Sequence, residues 1–186
     1  MNSNYKVLKF KSNNSKEIDD QVSIEEPLEI IIKYKDKENW IENTISITMR
    51  TPGDDEDLVR GFLFNERVIE NIDYIENIEL VGDPVGQYKL KNKVVVTINN
   101  SENIDIDKIK RNFLTNSSCG VCGKTSLDSL EIIKKDKILK SIPKINHEII
   151  MKSPNILRQN QSEFSKTGGI HASGLFKFSG DIIAVK

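Results

Sequence analysis

The stretch Thr48-Met49-Arg50-Thr51-Pro52-Gly53-Asp54-Asp55 marks a change from strand to helix. Before it, residues 40–49 partly alternate apolar and polar side chains, which is typical of a half-buried strand. Thr51-Pro52-Gly53 breaks that alternation. The acidic run that follows suits the first turn of a helix, because the helix dipole favours negative charge there. The stretch therefore predicts that strands and helices are mixed along this chain.

The rest of the chain extends this pattern into a mixed α+β fold. We expect residues 1–21 to form a polar N-terminal tail, which is loose at Ser12–Asp20. We expect one domain at residues 22–186. Strands are predicted at Val22–Tyr34, Trp40–Met49, Tyr74–Val81 and Tyr88–Ile98, and the last strands at Phe176–Val185 around a Ser179-Gly180-Asp181 turn. Helices are predicted after Asp54 and at Asp105–Phe113, Ser126–Lys135 and Asn155–Ser165.

Composition and charge exclude several classes of protein. The chain has 186 residues, of which 37% are hydrophobic, so it can bury the core of one domain. Its net charge of -1 gives no global field that attracts nucleic acid or anionic lipid. No apolar run approaches the roughly 20 residues that span a bilayer, and the N-terminus lacks the apolar core of a signal peptide. We therefore expect a cytoplasmic protein without nucleic-acid or membrane partners, in which thiols stay reduced.

The segment Ser117-Ser118-Cys119-Gly120-Val121-Cys122-Gly123-Lys124 contains the only two cysteines. A structural zinc site needs four ligands, and the two histidines, His147 and His171, are too far apart in sequence to suit a Cys2His2 pattern within one chain. Zinc shared across a dimer stays an open alternative. A thioredoxin-like dithiol fits loosely, because a predicted helix and a polar loop precede the pair. A persulfide carrier would use the mobility of the glycines and the nearby charge of Lys124. The chemistry of the loop does not rank sulfur carriage above dithiol exchange.

Two further segments could hold an anionic ligand. Arg50 and Thr51 lie where a strand end meets a helix start, although the acidic run after them argues for helix capping alone. Gly168 and Gly169 could cradle phosphate if they run into a helix, whereas a helix C-cap followed by a turn is the commoner role of such a pair. His171 could bind a ligand or move a proton. A buried, hydrogen-bonded histidine is the equal alternative.

The ordered set of these segments resembles the formate dehydrogenase accessory sulfurtransferase family, FdhD. The resemblance extends from about Val22 to the C-terminus, and its specificity comes from the order of the motifs. The matching runs are Glu25-Glu26-Pro27-Leu28-Glu29-Ile30, Thr48–Asp55, Gly61-Phe62-Leu63-Phe64, Ser117–Lys124 and Thr167–Ala172.

The resemblance implies a sulfurtransferase. Such proteins take sulfur from a cysteine desulfurase and transfer it to the molybdenum (or tungsten) bis-guanine-dinucleotide cofactor before that cofactor enters formate dehydrogenase. It implies Cys119 as the persulfide carrier, Cys122 as its partner, and no resident metal or tightly bound cofactor. It also implies a homodimer with a cytidine-deaminase-like core, preceded by a β-rich part. Binding of the guanine dinucleotide is then expected at Arg50, Thr51, Gly168, Gly169 and His171.

Two departures refine this expectation. Zinc deaminases carry His-x-Glu ahead of their cysteine pair; here His171 is followed by Ala172 and Ser173, and the cysteines come first, so zinc-dependent deamination is excluded. Members of the family usually continue with a Glu-Asp-Val-Gly-Arg-His-Asn helix, and this sequence ends at Lys186 where that helix would begin. We therefore expect a C-terminally truncated cofactor surface. The alternatives are a cofactor-binding chaperone that transfers no sulfur, or an inactive fragment.

Overall fold

The computed structural model describes residues 1–99, 102, 104, 113–114 and 144–186, which form nine strands and three α-helices. The chain divides into two compact units. The first consists of residues 1–24 and 134–186 and is called the terminal unit below; residues 25–133 are the sheet unit. The α+β class expected from the sequence is confirmed.

A five-stranded sheet forms the frame of the sheet unit. Its elements are β3 (Glu26–Asp36), β4 (Asn39–Arg50), α1 (Asp55–Asn65), a 3-10 turn (Ile72–Tyr74), β5 (Ile75–Val81), β6 (Lys93–Ile98) and β7 (Phe113–Leu114). The strand order is β5-β6-β3-β4-β7, with β3 antiparallel to β4 and parallel to β6. The strand β7 pairs in parallel with β4 at the edge.

One face of this sheet carries the hydrophobic core. Alternate residues of β3 are buried, as expected for a strand whose successive side chains point to opposite faces. Val59 and Leu63 of α1 are fully buried against them, one helical turn apart. Each such side chain stabilises the fold by about 1.5–3 kcal/mol. The thirteen residues of the core are Leu28, Ile30, Ile32, Tyr34, Ile45, Val59, Leu63, Val68, Ile69, Val94, Val96, Ile98 and Ile104.

The opposite face of the sheet is polar and carries an ion pair that makes stability depend on pH. Glu29 accepts a hydrogen bond from Thr44 Oγ1 at 2.7 Å and pairs with Lys93 Nζ at 2.8 Å. The hydrogen bond from Lys93, with a smaller contribution from Thr44, lowers the pKa of Glu29 below its ordinary value of 4.5. A carboxyl group with a lowered pKa stabilises the fold above its unfolded pKa, and this contribution is lost as pH falls through the folded pKa.

We therefore expect Glu29→Gln to destabilise the sheet unit at neutral pH by less than about 1 kcal/mol, since the pair is partly exposed. The difference from the wild type should shrink as pH falls below 4.5 and vanish once Glu29 is protonated. Urea unfolding at several pH values measures it. In a Lys93→Met background the same substitution should show a much weaker pH dependence, and an unchanged one would contradict this origin.

The terminal unit combines two β-hairpins with two helices. The strands β1 (Asn2–Lys11) and β2 (Asn14–Ser23) are antiparallel along their full length. The helices are α2 (His147–Gln159) and α3 (Ser162–Thr167), and the second hairpin is β8 (Gly174–Phe176) with β9 (Ile182–Val185). At the first hairpin's base, Ser23 Oγ donates to Thr167 Oγ1 at 2.9 Å, and the Met1 amine lies 3.5 Å from Glu163.

The prediction that Ser12–Asp20 is loose within the N-terminal tail is wrong, because residues 1–21 form most of the β1–β2 hairpin. Polar composition concealed it: the strands pair through their backbones, which requires no apolar face. The two-residue connection of Ser12 and Asn13 places Ser12 at a φ of 55°, a conformation typical of tight hairpin turns. The N-terminal segment is therefore ordered strand.

The helix predicted at Asn155–Ser165 is in fact the end of one helix and most of another. Helix α2 begins at His147 and continues through Pro154, which has no N–H to bond the carbonyl of Ile150. Ser153 Oγ donates to that carbonyl at 2.9 Å, so the freed acceptor is satisfied. Proline usually ends a helix, but this helix continues because the Ser153 hydroxyl replaces the N–H donor that Pro154 lacks.

The strand predicted at Tyr88–Ile98 begins only at Lys93, because residues 85–90 form a tight turn with a positive φ at Gly86 and Lys89. Phe113, the predicted last residue of a helix from Asp105, belongs to strand β7. The rest of that helix and the one at Ser126–Lys135 lie outside the described residues. Among the helices that the structure describes, none is long and apolar enough to cross a bilayer.

Candidate functional site

Arg50 ends β4 with its guanidinium group inside the sheet unit rather than in solvent. Only 3% of its side chain is exposed. Its Nε donates to Asp55 Oδ1 at 2.8 Å and its Nη2 donates to Asp55 Oδ2 at 3.3 Å, a two-point pair between the strand end and the first residue of α1. Further bonds join Nη1 to the Glu26 carbonyl at 3.3 Å and Nη2 to Asn92 Oδ1 at 3.2 Å.

These bonds decide what Arg50 can do. Four of its five N–H groups face protein acceptors, and its charge is compensated by a buried carboxylate. An incoming phosphate would have to displace Asp55. The geometry thus makes Arg50 a positioning residue that fixes both ends of the loop at residues 51–54. Direct contact between Arg50 and the cofactor stays a prediction, and this geometry does not support it.

The sequence did not identify the partners of Arg50. The sequence pattern places Asp55 in an acidic first turn and Glu26 in a family motif, and it assigns neither to Arg50. Asn92 lies 42 residues further along the chain, and its amide also donates to Glu26 Oε2 at 3.3 Å. No local pattern marks such a residue, because the contact depends on β6 lying beside β3.

Thr51, the neighbouring candidate, is half-buried at the start of the loop that Arg50 fixes. Gly53 within this loop has a φ of 152°, which residues with a side chain rarely adopt. The Asp54 side chain forms no N-cap hydrogen bond, although Asp55, Glu56 and Asp57 do place acid in the first turn. The acidic first turn disfavours an anion at the helix start. The capping interpretation is therefore confirmed for the negative charge of the first turn, but not for an N-cap hydrogen bond from Asp54.

We expect Gly53→Ala to lower the free energy of unfolding by about 1 kcal/mol or more, because alanine is strained at this φ although space is available. Gly61→Ala is the matched control within α1, where a new Cβ would meet only Asn65 Nδ2 at 3.9 Å. There alanine should stabilise by about 0.5–1 kcal/mol. Thermal unfolding of both variants tests the assignment; equal shifts of the same sign would contradict it.

Gly168 and Gly169 end a helix rather than begin one. Gly168 is the C-cap of α3, with a φ of 68°, and its N–H donates to the Phe164 carbonyl at 2.8 Å. The residues after it form no helix and lead into β8, so no helix start faces a ligand at this point. The phosphate cradle is therefore wrong in its geometry, and the C-cap role is confirmed. Both glycines are exposed, with open space around the Cα.

His171 lies in the exposed segment between α3 and β8. The alternative of a buried histidine is wrong, because the side chain is open to solvent. Among the described residues it forms no hydrogen bond that would fix the ring. The exposed ring is accessible to a ligand. Its role in binding a ligand or transferring a proton stays a prediction.

The candidate residues are distributed over both units and beyond the described part of the chain. Arg50 and Thr51 belong to the sheet unit, whereas Gly168, Gly169 and His171 belong to the terminal unit. Cys119 and Cys122 lie outside the described residues, so their roles as carrier and partner stay predictions. Within the described ranges, no group of three or more His, Cys, Asp and Glu side chains could hold a metal ion.

The fold and motifs define a mixed α+β protein with a strand-to-helix loop fixed by a buried arginine and a separate Cys-x-x-Cys segment. The chain belongs to the FdhD/NarQ family, whose family model matches residues 23–186.

Similar proteins agree with this membership. A Picrophilus torridus protein named sulfur carrier protein FdhD is 42% identical over 169 residues, covering 90% of this chain and 58% of the relative. A Sulfolobus acidocaldarius protein of the same name is 35% identical over 180 residues, covering 97% and 61%. The chain therefore spans about three fifths of the length of these relatives.

A solved structure from Desulfotalea psychrophila, described as a candidate formate dehydrogenase accessory protein, has a similar fold. Its TM-score to this chain is 0.59 at 16% sequence identity. The match covers 99% of this chain and 60% of the other. At this identity the likeness concerns the fold alone.

Proposed function

We propose that this protein is a sulfur carrier, a sulfurtransferase that holds sulfur as a persulfide on Cys119. The observation that carries the proposal is family membership over residues 23–186 together with the Cys119–Cys122 pair inside the matched range. Relatives at 35–42% identity bear the name sulfur carrier protein. A carrier needs a nucleophilic thiol, and the Cys-x-x-Cys spacing is one of the contexts in which a thiol pKa is lowered.

Loading is a thiol exchange at a sulfane sulfur. The Cys119 thiolate attacks the outer sulfur of a persulfide on a cysteine desulfurase, forming a new S–S bond as the donor's S–S bond breaks. The donor cysteine leaves as a thiolate, and Cys119 becomes the persulfide. No net oxidation occurs, because the sulfane sulfur passes between two thiols.

Release uses the neighbouring thiol. The Cys122 thiolate attacks the Cys119 Sγ atom, and the outer sulfur departs as hydrosulfide with the electron pair of the broken bond. A Cys119–Cys122 disulfide remains, and a thiol reductant must reduce it before the next cycle. The proposed acceptor is the molybdenum or tungsten bis-guanine-dinucleotide cofactor, which is substrate and not a resident group.

The described residues support binding of this acceptor unequally. Gly168, Gly169 and His171 form an exposed, sterically open segment, so they are proposed to contact the guanine dinucleotide directly. Arg50 is proposed to act by fixing the loop that contains Thr51. The proposal also includes cytoplasmic action on formate dehydrogenase, a homodimer and a cytidine-deaminase-like core.

Transfer of radioactive sulfur tests the proposed carriage. The chain is incubated with a cysteine desulfurase and [35S]cysteine and then separated under denaturing, non-reducing conditions. We expect desulfurase-dependent label on the chain that dithiothreitol removes. A chain that binds a guanine dinucleotide but never takes up label would instead be a cofactor chaperone, and the sulfur-carrier proposal would then be wrong.

A further inference from the structure

The hydroxyl group of Thr167, the last residue of α3, connects this helix to the glycine pair that follows it. Its Oγ1 atom donates to the Glu163 carbonyl at 2.9 Å, one turn back along the helix. The same oxygen accepts a hydrogen bond from the Gly169 N–H at 3.4 Å. The Thr167 side chain therefore joins the backbone of the glycine pair to the end of α3.

Ser23, the last residue of β2, supplies the remaining hydrogen bond of this hydroxyl group. Its Oγ atom donates to Thr167 Oγ1 at 2.9 Å, across 144 residues of sequence. A hydroxyl group has one hydrogen and two lone pairs. Because the Thr167 hydrogen is used on Glu163, Ser23 has to be the donor, and the bonds from Ser23 and Gly169 use both lone pairs. Both hydroxyl side chains are half-buried.

The segment of residues 170–172, which contains His171, is held at both of its ends. At the far end, the Ser173 N–H donates to the Lys186 carbonyl at 2.7 Å, and the Lys186 N–H donates to the Ser173 carbonyl at 3.0 Å. At the near end, Thr167 holds Gly169. Between these anchors, no backbone N–H of residues 170–172 donates to another described residue. Ser23 thus acts on one of the two anchors of this segment.

We propose that Ser23 is a positioning residue for the guanine-dinucleotide site. Through the Thr167 hydroxyl group it holds Gly169 in one conformation before the ligand binds. The role rests on the proposed function, which assigns Gly168, Gly169 and His171 to this ligand. Ser23 itself precedes the first run of sequence that resembles the family, at residues 25–30.

The glycine pair explains why such an anchor matters for affinity. Glycine populates positive and negative φ about equally, so an unrestrained Gly168-Gly169 pair samples many conformations. A ligand that binds one of them loses affinity in proportion to the freedom that the segment gives up. An anchor that removes this freedom in the free protein therefore tightens binding without touching the ligand.

Binding of GDP, which contains the guanosine and the two phosphates of the proposed ligand, tests this role by calorimetry on the full chain. Ser23→Ala should raise the Kd for GDP by about 3–10-fold, the effect expected from the loss of one neutral hydrogen bond. Ser23→Thr keeps the hydroxyl donor and should restore the wild-type Kd. Ser15→Ala is the matched control, because it removes the same group from an exposed position at the far end of β2, and it should leave the Kd unchanged.

A second pair of measurements separates positioning from a general loss of structure. Thr167→Val removes the hydroxyl group and keeps the shape of the side chain, so it should weaken GDP binding at least as much as Ser23→Ala. In the Thr167→Val background, Ser23→Ala should change the Kd by less than about 2-fold, because Ser23 acts only through Thr167. In the ligand-free chain, Ser23→Ala should accelerate amide exchange at Gly169, measured by NMR, and leave the β1–β2 strands unchanged.

Each outcome decides between positioning and its alternatives. An unchanged GDP affinity in Ser23→Ala, additive effects of the two substitutions, or a Ser23→Ala chain that does not fold would overturn the positioning role. A wild-type chain that binds no GDP would overturn it as well, while desulfurase-dependent [35S] label on that chain would still support sulfur carriage. GDP binding that depends on Ser23 in a chain that takes up no label would support positioning and reject the carrier.

Discussion

Cys119→Ser is expected to reduce sulfur loading to the level measured without desulfurase. The hydroxyl of serine is not ionised at neutral pH and cannot replace a thiolate as an acceptor of sulfane sulfur. The measurement is desulfurase-dependent incorporation of [35S]sulfur into the chain. Since the substitution changes one atom, we expect urea unfolding to match the wild type.

Cys122→Ser provides the matched control for this prediction. It should still load sulfur, because Cys119 remains, but it should release sulfide more slowly, because no neighbouring thiol can form the disulfide that expels the outer sulfur. Loading that survives in Cys119→Ser and disappears in Cys122→Ser would reverse the assigned roles. Loading in the double variant would place the sulfur elsewhere in the chain.

Arg50→Met is expected to lower the free energy of unfolding of the sheet unit by about 3–5 kcal/mol. The substitution leaves Asp55 buried without its charge partner and removes donors from the Glu26 carbonyl and Asn92. An unpaired buried carboxylate is costly because the surrounding protein solvates it poorly. Urea unfolding followed by the fluorescence of Trp40, the only tryptophan, reports on this unit since Trp40 lies on β4.

The control for Arg50→Met is Arg60→Met on α1. Arg60 Nη2 lies 3.9 Å from Glu56 in a pair that is largely open to solvent, and its loss should cost less than about 0.5 kcal/mol. Removing both Arg50 and Asp55 should cost less than the sum of the single substitutions. If Arg50→Met and Arg60→Met destabilise equally, the buried network does not fix the loop at residues 51–54.

Local pattern in the sequence was sufficient to predict several elements. The isoleucine-rich run of β3 alternates between a buried and an open face, and the acidic turn before Leu58 does begin α1. The Ser179-Gly180-Asp181 turn does connect two strands, with Gly180 at a φ of 93°. In each case the residue types near the element determine its conformation, so the period or the turn chemistry suffices.

Other features depend on contacts that sequence reasoning does not reach. The β1–β2 hairpin has few apolar residues, and its order follows from backbone pairing and from anchors such as Ser23 on Thr167, 144 residues away. The segment around Arg50 has the residue types of an anion-binding site, yet Asp55 and Asn92 accept hydrogen bonds from its guanidinium group. The helix predicted to begin at Asn155 begins at His147 instead and continues through Pro154, because Ser153 satisfies the carbonyl that the proline leaves without a donor. Each outcome was decided by a partner that no local pattern marks.

Sulfur carriage by this chain depends on a persulfide at Cys119. The most direct measurement is peptide mass spectrometry of the chain after incubation with a cysteine desulfurase and cysteine, with free thiols and persulfides alkylated before digestion. We expect one added sulfur atom on the peptide of residues 117–124, located on Cys119 by fragmentation and absent after treatment with dithiothreitol. A peptide of unchanged mass under conditions in which the desulfurase itself is fully persulfidated would show that Cys119 does not carry sulfur.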